Sequence, residues 1–124
     1  MAELRLVRKD SLEETSQTPG MNRKEAFAPE GAWVGTVKMK PGLVSGWHHH
    51  GEYETYAYVT KGQARFEYGP DGGEAIEAGP GDFAFIPART VHREVNPGSH
   101  ESVVVLFRMG PGKPVFNVDG PDGS

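Results

Sequence analysis

Residues 42–62 read GLVSGWHHHGEYETYAYVTKG. Three consecutive imidazoles, His48, His49 and His50, lead into a run containing Tyr56, Tyr58 and Val59, which Lys61 and Gly62 break. Aromatic and β-branched residues bounded by turn formers read as strands. On a strand, alternate side chains share a face, so His48 and His50 point one way and His49 the other. Two imidazoles on one face, joined by a third from a neighbouring strand, can hold one divalent metal. Glu52 and Glu54 lie close by in the chain.

The same alternation of strand and turn continues outward. Gln63 to Tyr68 reads as a strand, residues 69–73 as a hairpin tip, and Glu74 to Glu77 as the returning strand. Gly79 to Asp82 is another turn. Phe83 to Ile86 is a strand ended by Pro87, and Val91 to Val95 one ended by Asn96, Pro97 and Gly98. Glu101 to Met109 is the most apolar strand. Upstream, Trp33 to Met39 is rich in strand formers, and downstream Val115 to Val118 can pair with a sheet edge. No segment after residue 32 sustains a helical period. This pattern predicts an all-β jelly-roll sandwich or barrel. Before it, Glu3 to Val7 reads as a short strand, Ser11 to Gln17 as a helical turn or loop, and Met21 to Pro29 as an arm or a surface loop. The expected organisation is an N-terminal arm over 1–30, available to a dimer interface, a barrel over 31–118 and a mobile tail over 119–124.

Composition bounds the function. The chain has 124 residues, enough for one core and too few for two. It has no cysteine, which excludes disulfides, thiolate metal sites and a cysteine nucleophile. Basic residues number 13 against 17 acidic, a formal net charge of -4, with no basic block. Nucleic acid is therefore not an expected partner. The longest aliphatic and aromatic run, Val103 to Phe107, is too short to cross a bilayer, so no membrane role is expected. The first ten residues lack the apolar stretch of a signal peptide, which leaves the cytoplasm as the default location.

Two spaced patterns sharpen the reading. Gly42, His48, His50, Glu54 and Gly62 form the first; Gly81, Pro87, His92 and Asn96 form the second. Together they resemble the two cupin motifs, G-x5-H-x-H-x3,4-E-x6-G and G-x5-P-x-G-x2-H-x3-N. Arg89 stands where the family has Gly. The resemblance covers residues 35 to 108 and implies a double-stranded β-helix, the cupin-type jelly roll. It maps His48, His50 and His92 onto the family's metal ligands, with one divalent metal per chain (Fe, Mn, Ni or Zn). Counting from His50, Glu54 is the fourth ligand; counting back from Gly62, the position falls on Thr55. Parity lets only one of the two face inward unless a bulge intervenes.

Other candidates follow from residue type. Trp47, Phe83 and Phe85 are candidates to line a substrate pocket, and Arg89 to fix an anion. Glu94 and Asn96 share the strand face of His92. The resemblance implies a metal-dependent enzyme acting on a small organic molecule, with dioxygenase, isomerase, cyclase and decarboxylase chemistry all within the family. The alternatives are a non-catalytic barrel for a small ligand or a metal, and a metal-free barrel. A homodimer is expected, with the arm and the outward Tyr face covering an open sheet.

Overall fold

The computed structural model describes residues 3–15, 17–113 and 115–124. Among the described residues, eleven strands follow one 3₁₀ turn at Lys9–Ser11. They are β1 (Glu13–Glu14), β2 (Asn22–Phe27), β3 (Ala32–Met39), β4 (Trp47–His49), β5 (Glu54–Lys61) and β6 (Ala64–Tyr68). Then come β7 (Glu74–Ala78), β8 (Phe83–Ile86), β9 (His92–Val95), β10 (Ser102–Met109) and β11 (Phe116–Val118). One sheet has the order β1-β2-β3-β10-β5-β8, the other β11-β4-β9-β6-β7. All named pairings are antiparallel.

The sheets close around side chains that alternate in and out. Along β10, Ser102, Val104, Leu106 and Arg108 are buried, while the residues between them are half-buried or exposed. Along β5, Thr55, Ala57 and Val59 are buried and Tyr56 is exposed. With Trp33, Val37, Met39, Phe66 and Ile86 they form a continuous apolar core. Burial of this surface, at roughly 25 cal/mol per Å², is the main force closing the sheets. Gly62, which ends the first motif, has φ +74°, and a Cβ there would lie 2.7 Å from the Glu101 carbonyl oxygen. Only glycine fits that turn, and the turn sets β6 crossing to the opposite sheet.

The strand reading from Trp33 onward agrees with the structure to within a residue or two. The N-terminal reading does not. Residues 22–27 were expected in an arm or loop, yet they form β2 and pair along β3 from Asn22–Lys38 to Phe27–Val34. Their mixed polar sequence hid the strand, because only Arg23 is fully buried. Residues 3–7, expected as a strand, are in none. Residues 119–124 turn back on themselves, with the Gly120 amide donating to the Ser124 carbonyl at 3.2 Å. Among the described residues, no helix is long and apolar enough to cross a membrane.

Candidate metal centre

Strands β4 and β9 are neighbours, and His48 is directly opposite His92 in their register. His50 follows one residue after β4 and faces the same interior. Parity therefore holds as the sequence requires: His48 and His50 are buried, and His49 lies outside, stacked on Phe116 at 4.9 Å. The three buried imidazoles converge, with ring centroids 5.2 Å (His48–His50), 4.3 Å (His48–His92) and 5.1 Å (His50–His92) apart. One ring nitrogen from each lies within 4.8 Å of the others.

Backbone carbonyls orient two of the rings. Nδ1 of His48 donates to the Gly46 carbonyl at 3.0 Å, and Nδ1 of His92 to the Thr90 carbonyl at 2.9 Å. This fixes the tautomer with a bare Nε2, as metal-ligating histidines require. Both Nε2 atoms are buried and make no hydrogen bond. Burial, reinforced by the charge of His92, lowers the His48 pKa to about 4. Burial and then the Arg108 charge push His50 well below its ordinary value. Neutral imidazole at His48 and His50 is the protonation state a cation needs.

The carboxylate of this cluster is Glu94, not Glu54. Glu54 is exposed at the start of β5, opposite Met109, and cannot join the histidines. Thr55 takes the inward position and is fully buried, because the register of β5 is fixed by Ala57 and Val59 in the core. Glu94, two residues after His92 on β9, faces the same interior. Its Oε2 lies 3.5 Å from His48 Nε2 and 3.8 Å from His92 Nε2. Burial works against its ionisation, but the adjacent His48 and His92 rings outweigh that and hold the carboxyl below its usual range. The ligand atoms that all lie within 4.8 Å of one another belong to the three histidines, and Glu94 stands against two of them, His48 and His92.

Two more charges are buried in the barrel. Arg23 on β2 has no exposed surface and donates to Thr18 Oγ1 at 2.7 Å; burial lowers its pKa to about 10. Arg108 on β10 stacks over Trp33 at 4.5 Å, and burial lowers its pKa to about 9. The sequence reading missed both. Arg108 was visible in principle, since it continues the inward series Val104, Leu106.

A cavity of about 440 Å³ opens beside His92. Phe66 and Tyr68 of β6, Ile76 of β7, and Phe85 and Ile86 of β8 line it, with Pro87, Thr90 and His92. Of the residues expected at a pocket, Phe85 is here. Phe83 is 78% exposed on the outer face, because it alternates with buried Ala84. Trp47 packs under the Arg93 guanidinium at 4.7 Å, away from this cavity. Arg89 is exposed and pairs with Glu52 at the surface, outside the histidine cluster. Asn96 closes the second motif structurally: its Nδ2 donates to the Met39 and His100 carbonyls at 3.0 and 2.8 Å.

A family profile described as Cupin domain matches residues 35–108, more than half of the chain. The chain belongs to the cupin family. No curated protein sequence matches this cupin. Its fold is similar to that of an uncharacterized double-stranded β-helix protein from Klebsiella pneumoniae (20% identity, TM-score 0.74, 93% of this chain and 97% of that one). It is also similar to the polyketide cyclase RemF from Streptomyces resistomycificus (22% identity, TM-score 0.75, 97% and 91%). A third similar structure is the oxalate decarboxylase of Bacillus subtilis (19% identity, TM-score 0.71), of which this cupin spans only 30% while 85% of its own length is covered.

Proposed function

We propose that this cupin is a metal-dependent enzyme acting on a small organic molecule bound inside the barrel. The observation that carries the reading is the convergence of His48, His50 and His92 on one point, with two bare Nε2 atoms and the Glu94 carboxylate beside them. These residues fit one divalent cation, with Fe, Mn, Ni and Zn all compatible with imidazole ligands. A cation held there supplies Lewis-acid polarisation of a substrate oxygen. The cavity beside His92, walled largely by apolar side chains, offers a small organic molecule a place next to the histidines. Cyclase and decarboxylase chemistry, as in two of the structural neighbours, both suit such a site; fold alone does not choose between them.

Elemental analysis of untagged protein tests this, alongside a His50→Ala, His92→Ala double variant. Near-stoichiometric metal that disappears in the variant is expected. No uptake after reconstitution with Fe(II), Mn(II), Ni(II) and Zn(II) would overturn the reading.

The outer face of the six-stranded sheet supports self-association. Tyr56 stands 5.1 Å from Phe85 and Tyr58 4.6 Å from Phe83, and Phe107 is exposed in the same row as Tyr56 and Phe85. Exposed rings in register form an apolar patch suited to a second copy of the chain. A dimer by light scattering that Phe83→Glu dissociates is the expected result, and a native monomer the contrary one.

A further inference from the structure

Arg108 is a buried cation two of whose three guanidinium nitrogens find no acceptor among the described residues. Its side chain is 1% exposed, and neither Nε nor Nη1 has a hydrogen-bond partner among the described residues. Stacking on Trp33 covers the face of the guanidinium, but the N–H donors lie in its plane, and a ring face beneath it does not satisfy them. A buried donor without an acceptor costs about 1–3 kcal/mol, more when charged, so native proteins keep one for a reason.

Three observations say what the acceptor is. Arg108, Thr55 and Ile86 are cross-strand partners over β10, β5 and β8, and all three face inward. Thr55 Oγ1 is likewise buried without a hydrogen bond. The row therefore runs from the unsatisfied guanidinium to Ile86, which is itself in the wall of the cavity beside His92. Finally, Glu94 is the one buried carboxylate among the described residues, and it is engaged with His48 and His92. A divalent cation beside Arg108 would leave more positive charge in the interior than Glu94 neutralises, and buried charge of one sign demands a counter-charge.

The geometry points to an organic carboxylate with an apolar body as the ligand class of this barrel, its head between the histidine cluster and Arg108 and its body in the adjacent cavity. This deepens the metal-enzyme reading and rests on it for the second contact of the head. The lining of Phe66, Ile76, Phe85 and Ile86 selects against a small, fully polar dianion, which would leave that wall empty. Arg is suited to the head because its fixed donors match carboxylate geometry.

Calorimetric titration of cinnamate, its neutral amide cinnamamide, and oxalate tests the assignment on metal-loaded and metal-free protein. Cinnamate is expected to bind at least about tenfold more tightly than the amide, and more tightly than oxalate. In Arg108→Gln and Arg108→Lys with metal content unchanged, the carboxylate preference should fall about tenfold in the first and less in the second. Equal binding of cinnamate and cinnamamide by native protein overturns the proposal, as does a preference that survives Arg108→Gln intact. Should both variants fail to fold, the metal-free native protein decides, because there no metal ion contributes to the preference: cinnamate ahead of the amide supports the proposal, and parity overturns it. Failure of the metal reading is separately visible as absent metal uptake.

Discussion

Glu94 Oε2 stands 3.5 Å from His48 Nε2, across the β4–β9 pairing. The carboxylate that stands against the histidines lies on β9, not on β5 where the first motif would place it. Glu94→Gln keeps the shape but removes the charge. Metal affinity should fall about 10–100-fold, the range seen when a group bonded to a metal's ligands is lost. Competition with a chelator measures this directly. Affinity unchanged within twofold would show that Glu94 stands outside the coordination sphere.

Glu54 and Thr55 should part company in the opposite sense to the motif. Glu54→Gln alters an exposed side chain, so metal content should be unchanged and stability should move by no more than about 0.5 kcal/mol. Thr55→Val removes a buried hydroxyl that has no hydrogen bond and keeps its volume. Metal-free protein carrying it should gain about 1 kcal/mol in urea unfolding. A loss of comparable size would mean that the hydroxyl is satisfied within the protein.

What the sequence disclosed and what it hid have physical causes. The facing of His48, His49 and His50 followed from the two-residue period of a strand, and β4 obeys it. The competition between Glu54 and Thr55 was visible, but its outcome depended on the register of β5, which is set by Ala57 and Val59 packing against β8 and β10. Strand β2 was not legible, because NRKEAF carries no apolar alternation; its place comes from pairing with β3. Arg23 and Arg108 escaped notice for the same reason: charge ordinarily marks a solvent-facing position, and here the interior takes it up. Phe83 and Trp47 misled because aromatic residue type does not say which face a strand presents.

Arg89 is the sole non-glycine residue with positive φ among the described residues, at 59°. That is the left-handed region, which costs an L side chain about 1–2 kcal/mol, and it explains the family's glycine at this position. The exposed Arg89–Glu52 pair is screened by solvent and offsets little of this. Arg89→Gly should therefore be at least as stable as the native protein, and Arg89→Val, whose branched Cβ tolerates this region worst, should lose about 1–2 kcal/mol. Urea midpoints of the three proteins give the order. A Gly variant less stable than the Val variant would refute the strain argument.

Acid should destabilise the metal-free protein well above the range in which carboxylates titrate. The His48 pKa is about 4 in the folded chain, lowered first by burial, against an ordinary 6.5. Between those values the unfolded chain binds the extra proton, so stability is fully present above pH 6.5 and is lost as pH falls towards 4. Each pH unit corresponds to about 1.4 kcal/mol, so His48 alone removes about 3 kcal/mol over that window. His50 is depressed in the same direction and steepens the loss. Replacing His48 with Gln should flatten the profile between pH 6.5 and 4. Urea unfolding of metal-free native and His48→Gln protein across this range is the measurement, and parallel profiles would show that His48 is not the group whose burial opposes its charge.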